Sequence, residues 1–96
     1  MANKDFIGLL KTLNAAVESR FKAHVKGVFG SYTRGEQQPG SDLDVVVEFK
    51  TGATLLDFVG LGMYLEEELG VPVDVVPIDA IRVEFKDEIL RETIPV

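Results

Sequence analysis

Three consecutive valines, Val45, Val46 and Val47, sit inside the stretch "DLDVVVEF" (residues 42–49). A β-strand turns successive side chains to opposite faces, so an unbroken β-branched run buries both faces. Such a strand has to lie inside a sheet that is covered on both sides. A chain of 96 residues has material for one core of this kind, which predicts a single domain over residues 1–96. The same strand begins with Asp42 and Asp44. Spaced i, i+2, they face the same way, with Cα atoms about 7 Å apart. Two carboxylates so placed repel each other, and they need either free solvation or a cation between them.

The remaining elements are arranged around that strand. Residues 4–23 carry Phe6, Leu9, Leu10, Leu13, Val17 and Phe21 at helical spacing, with Lys11, Asn14, Glu18 and Lys22 on the other side. Val25 to Phe29 predict a short strand, broken by Gly30-Ser31. "SYTRG" can start a helical turn with Ser31 at its N-cap, and "EQQPG" reads as loop. Residues 54–69 predict a second helix, with Thr54 as N-cap, Asp57 three residues on and Gly70 as the stop. "VPVDVVPI" predicts a third strand bounded by Pro72 and Pro77. The tail from Asp79 to Glu92 predicts a short helix around "FKDEILRE". Together these give an α/β (α+β) class, with a small mixed sheet packed against helices.

Composition removes several function classes. Sixteen acidic and ten basic residues leave a net charge of −6, which argues against sequence-independent binding to nucleic acid. With no cysteine, a disulfide framework and a thiolate metal site are both excluded. "MANKDF" lacks the pattern of a signal peptide, and no apolar run approaches the roughly 18 residues of a membrane span. Mean hydropathy is +0.14, as in folded domains. The expected setting is cytoplasmic.

Asp42 and Asp44 acquire a third partner in Asp74, an acid set among Val73, Val75 and Val76. Burying a carboxylate in such a run is costly unless it is paired or metal-bound. Carboxylates on neighbouring strands can converge on a divalent ion, or on a pair about 4 Å apart. A hard cation such as Mg²⁺ takes a few carboxylates and fills its shell with water and substrate phosphates. On the other side of the strand, Gly30 permits close backbone approach, and the turn after it offers N–H groups and the Ser31 hydroxyl to a phosphate. Arg34 adds a charge suited to phosphate oxygens, or braces Asp42, Asp44 or Glu36 instead. An anion cradle next to metal-binding acids is what nucleotidyl transfer requires.

"GSYTRG" followed by "SDLDVVVEF", with "VDVV" downstream, resembles the signature of polymerase-β-type nucleotidyltransferases. The resemblance is to the minimal nucleotidyltransferases, the antitoxin partners of HEPN toxins, and it runs over nearly the whole chain to "ILRETIPV". It implies that Gly30 and Ser31 bind the triphosphate of ATP and that Asp42, Asp44 and Asp74 hold two Mg²⁺ ions. It further implies transfer of AMP to a tyrosine of a HEPN toxin, in a type VII-like toxin–antitoxin system.

Two other readings compete. The chain could mask a partner's surface without chemistry, or it could modify a small molecule such as an antibiotic, although no extra acceptor-binding domain is visible. His24 reads as a surface or junction residue, and Tyr32 as either a base-stacking or a packing group. Glu66, Glu67 and Glu68 read as a solvated helix face. In the second helix Leu55, Leu56, Phe58, Val59, Leu61, Met63, Tyr64 and Leu65 make an apolar face wider than a surface helix needs. Part of that face is expected to meet a partner or a second copy, and close packing is expected to explain Gly60 and Gly62.

Overall fold

The computed structural model describes residues 6–29 and 42–96. Helix α1 spans Phe6–Phe21 and leads through Lys22 alone into strand β1, Ala23–Phe29. Lys22 makes this abrupt link by adopting a left-handed φ of 54°. Strand β2 is Leu43–Phe49, helix α2 Leu55–Leu69 and strand β3 Val73–Pro77. A 3-10 turn over Ile78–Ala80, helix α3 over Val83–Arg91 and a two-residue strand β4, Ile94–Pro95, follow. The sheet order is β3-β2-β1-β4. Strand β2 pairs antiparallel with β1 and parallel with β3, so the sheet is mixed as expected.

The valine run behaves as its pattern requires. Val45, Val46 and Val47 are all fully buried. Leu43, Val45 and Val47 face a core built with Leu10, Leu13 and Val17 of α1 and Leu61, Leu65 and Leu69 of α2. Val46 faces the other way, along with Asp44, and the Ile78–Ala80 turn packs against β2. Helix α2 starts in a reciprocal capping box, in which Asp57 N–H donates to Thr54 Oγ1 and Thr54 N–H donates to Asp57 Oδ2. It ends at Gly70 with φ 75°, a left-handed stop that glycine adopts without strain.

Strand β1 is longer than its composition indicated and changes phase part-way. Val25 pairs with Val47 but Gly27 pairs with Val46, so Lys26 is the extra residue of a β-bulge. The shift lets Val25 and Val28 both enter the core, and it turns Phe29 to the side of Asp44. Strand β4, which the sequence did not indicate, pairs only with Gly27 and Val28. The neighbouring backbone of Val25 is satisfied from α1 instead. Its N–H donates to Asn14 Oδ1 at 2.9 Å and its carbonyl accepts from Asn14 Nδ2 at 3.1 Å. Asn14, read as part of the outer helix face, is thus half-buried and structural.

The wide face of α2 divides in two. Leu61, Leu65 and Leu69 are buried, while Leu55, Leu56, Val59 and Met63 remain 74, 83, 50 and 67% exposed. An added Cβ at Gly60 would come within 3.0 Å of the Phe21 ring, so close helix approach accounts for that glycine. At Gly62 the nearest atom, Val75 Cγ2, would be 3.7 Å away, an ordinary contact that alanine would tolerate.

Two predictions follow from this packing. A Cβ at Gly27 would lie 2.3 Å from the Ile94 carbonyl oxygen and 2.5 Å from Thr93 Cγ2. Gly27→Ala should therefore displace β4 and cost about 1–3 kcal/mol, measured by urea denaturation. An unchanged midpoint would show that β4 yields freely. The second concerns Glu18, which joins α1 to the sheet. His24 Nδ1 lies 2.5 Å from its Oε2, and Lys50 Nζ lies 3.4 Å from its Oε1. The hydrogen bond from His24, followed by that from Lys50, holds the Glu18 carboxyl below its usual value. A lowered folded value means that the stabilisation is complete above the unfolded value, about 4.3, and disappears as pH falls through the lower folded one. Wild type should lose its advantage over Glu18→Gln between neutral pH and that acid range. Parallel pH–stability curves for the two proteins would refute the linkage.

Candidate active site

The site is built where β2 and β3 begin. The parallel register sets Asp44 directly beside Asp74, with Leu43 beside Val73 and Val45 beside Val75. Side chains on adjacent parallel strands at matched positions share a face, and the strands run about 4.8 Å apart. Both acids therefore project from the face opposite the main helix-packed core. Asp44 is half-buried and Asp74 exposed, while Asp42 lies exposed just ahead of β2. Across β2, Asp44 has Phe29 as its antiparallel partner, so Asp44 stands between an aromatic ring and a second acid.

Gly30, Ser31 and Arg34, together with the "SYTRG" turn, Tyr32 and the "EQQPG" loop, lie outside the described residues. The chain departs toward them from Phe29, the partner of Asp44, and returns at Asp42. Phe29 and Asp42, the described residues on either side of 30–41, thus both flank the strand that carries Asp44.

The donor set fits Mg²⁺ as an open site. Carboxylates supply the hard oxygen ligands that Mg²⁺ favours, and one or two of them suffice when substrate phosphates complete the shell. Among the described residues, no three His, Cys, Asp or Glu side chains are gathered into a ready-made metal cage. Asp42, Asp44 and Asp74 are brought to one strand edge by the backbone, not closed into a pre-formed cluster.

A further acid nearby was not legible in the sequence. Glu66, on the last turn of α2, accepts the backbone N–H of Val73 on its Oε2 at 3.0 Å. Val73 immediately precedes Asp74. Nothing in the run "EEE" separates Glu66 from Glu67 and Glu68. The distinction arises only when α2 folds back along β3. A cleft of about 550 Å³ also opens between the helices, lined by Arg20, Phe21, Met63 and Tyr64, with the Arg20 guanidinium carbon 4.8 Å from the Tyr64 ring centre. It belongs to the helix layer and not to the face of the acids.

The Asp44–Asp74 register sets like charges side by side, and such cross-strand pairs are destabilising. Without divalent metal, Asp74→Asn should raise the melting temperature by a few degrees, since 1 kcal/mol is worth about 4–8 °C in a domain of this size. Added Mg²⁺ should stabilise wild type more than the variant. A lower melting temperature for Asp74→Asn in EDTA would rule out the repulsion.

With the geometry established, the relatives of this chain identify its class. Residues 10–96 match the nucleotidyltransferase domain family. A Methanocaldococcus jannaschii protein provisionally named a protein adenylyltransferase is 49% identical over 69 residues, which is 72% of this chain and 74% of that protein. The protein adenylyltransferase MntA of Thermococcus cleftensis is 40% identical, over 81% of this chain and 79% of its own. A solved structure described as a minimal nucleotidyltransferase superposes with a TM-score of 0.76 at 38% identity, covering 100% of both chains. A toxin–antitoxin crystal structure with AMP-PNP superposes at 0.59 and 26% identity, over 84% of this chain and 61% of that one. The mixed sheet, the paired acids on β2 and β3 and the family match agree, and the chain belongs to the nucleotidyltransferase domain family.

Proposed function

We propose that this chain is a Mg²⁺-dependent protein adenylyltransferase, moving AMP from ATP onto a tyrosine hydroxyl of a HEPN toxin and so acting as the antitoxin of a type VII-like pair. The observation that carries the reading is the register of Asp44 against Asp74, beside the strand end that leads to Gly30 and Ser31. Relatives named protein adenylyltransferases support the reaction, and the toxin–antitoxin structure with AMP-PNP supports the nucleotide and the kind of partner.

In this reading Ser31 and the N–H groups near Gly30 hold the β- and γ-phosphates, and Arg34 contributes positive charge to them. Asp42, Asp44 and Asp74 hold Mg²⁺, which when bound neutralises charge on the triphosphate and on the departing pyrophosphate. Asp74, the most accessible position on the edge strand, takes the proton of the acceptor hydroxyl. The acceptor oxygen bonds to the α-phosphorus, the bond from that phosphorus to the α–β bridging oxygen breaks, and pyrophosphate leaves. The acceptor is brought by the partner, since the described residues are fully used in building one sheet and its helices.

A second reading, neutralisation by masking alone, draws on the exposed Leu55, Leu56, Val59 and Met63 stripe. The experiment that separates the two is intact mass spectrometry of the partner toxin after incubation with this chain, Mg²⁺ and ATP. The expected result is a gain of one or more AMP units that is lost with Asp42→Asn plus Asp44→Asn. An unshifted toxin mass, together with full protection by the double variant, would establish masking instead.

A further inference from the structure

Strand β3 is an edge strand, last in the order β3-β2-β1-β4. Successive residues of a strand turn their backbone groups to opposite sides. Pro72 turns its carbonyl toward β2, where Leu43 N–H donates to it at 2.9 Å. Val73 then turns its N–H outward, where no strand of the described residues lies, and this donor is taken by Glu66 Oε2 at 3.0 Å. The Pro72–Val73 peptide is therefore gripped from both flanks. On one flank is Leu43, which lies between Asp42 and Asp44. On the other is Glu66, and Asp74 is the next residue along.

Glu66 is also fixed at its own backbone, since its carbonyl accepts Gly70 N–H at 2.8 Å in the helix stop. One residue thus couples the end of α2 to the start of β3. Its charge is poorly placed for any purpose internal to the helix. The C-terminal end of a helix is negative and favours cations, yet the last turn of α2 holds no basic residue. An acid at this point weakens the helix end, while its carboxylate supplies the acceptor that an edge-strand N–H lacks.

We infer that Glu66 is a positioning residue for Asp74: by holding Val73 N–H from outside the sheet, it sets the separation of Asp74 from Asp42 and Asp44. The inference rests on the reading of Asp74 as a metal ligand. Glu66 touches neither phosphate nor metal. Its effect passes through the backbone angle at which Asp74 leaves β3.

The test uses the full chain with Mn²⁺ alone as the metal probe, without ATP, which would itself bind the metal, counting free Mn²⁺ by electron spin resonance. Groups that orient metal ligands typically affect metal affinity by about 10–100-fold. Glu66→Ala should weaken Mn²⁺ binding by about tenfold or more on that basis, and Glu66→Gln, which keeps an oxygen acceptor without the charge, should restore most of it. Amide exchange at Val73 should quicken in Glu66→Ala and stay slow in Glu66→Gln. Wild-type Mn²⁺ affinity in Glu66→Ala, with Asp74→Asn clearly weakened, overturns the positioning role alone. Equal losses in Glu66→Ala and Glu66→Gln also overturn it, since charge and not the hydrogen bond would then matter. Wild-type affinity in Asp74→Asn overturns the metal reading of Asp74, and the role of Glu66 with it.

Discussion

Strand β2 is the member on which everything else is hung. Among the described residues it is the only strand paired along its length on both sides, antiparallel to β1 and parallel to β3. Its valines are buried on both faces, so neither a slip of register nor a flip of the strand is tolerated. A shift of one residue would drive Asp44 into the helix-packed core and bring Val45 to the face of the acids. The cost of burying a carboxylate in an apolar core fixes the register, and the register then determines which acids meet.

The helix layer and the site are consequently separate in space but joined at their ends. Helices α1 and α2 cover one face through Leu10, Leu13, Val17, Leu61, Leu65 and Leu69. The acids lie on the other, at the starts of β2 and β3. The bulge at Lys26 adjusts β1 to both demands, admitting Val25 and Val28 to the core while placing Phe29 next to Asp44. Asn14 and β4 divide between them the free edge of β1, each supplying backbone partners where the other does not reach.

Much of this was legible in the residues. The valine run, the Thr54–Asp57 box and the Gly70 stop are local signals with local causes, and each was realised in place. The likeness of "GSYTRG" and "SDLDVVVEF" to nucleotidyltransferases was likewise borne out by the family match. What escaped were features created by tertiary contact. The segment Ile94–Pro95 becomes a strand only because Gly27 leaves room for it. Asn14 looks like any polar helix residue until Val25 is beside it. Glu66 differs from its two neighbours only through the path of β3. For the candidate site, spacing placed Asp42 and Asp44 at the start of one strand, whereas the matched positions of Asp44 and Asp74 required knowing that β2 and β3 run parallel.

That parallel pairing has a consequence in time as well as in space. Antiparallel neighbours can in general zip from a short connecting loop, but parallel neighbours must wait for the intervening segment to cross over. Here the intervening segment is all of α2. Asp44 and Asp74 therefore become neighbours only by closing a long loop across α2, a contact of the slower-forming kind. A chain in which β2 has paired with β1 but not yet with β3 carries both acids without setting them side by side. Assembly of the acid pair is then a late event, by which completion of the fold could be timed.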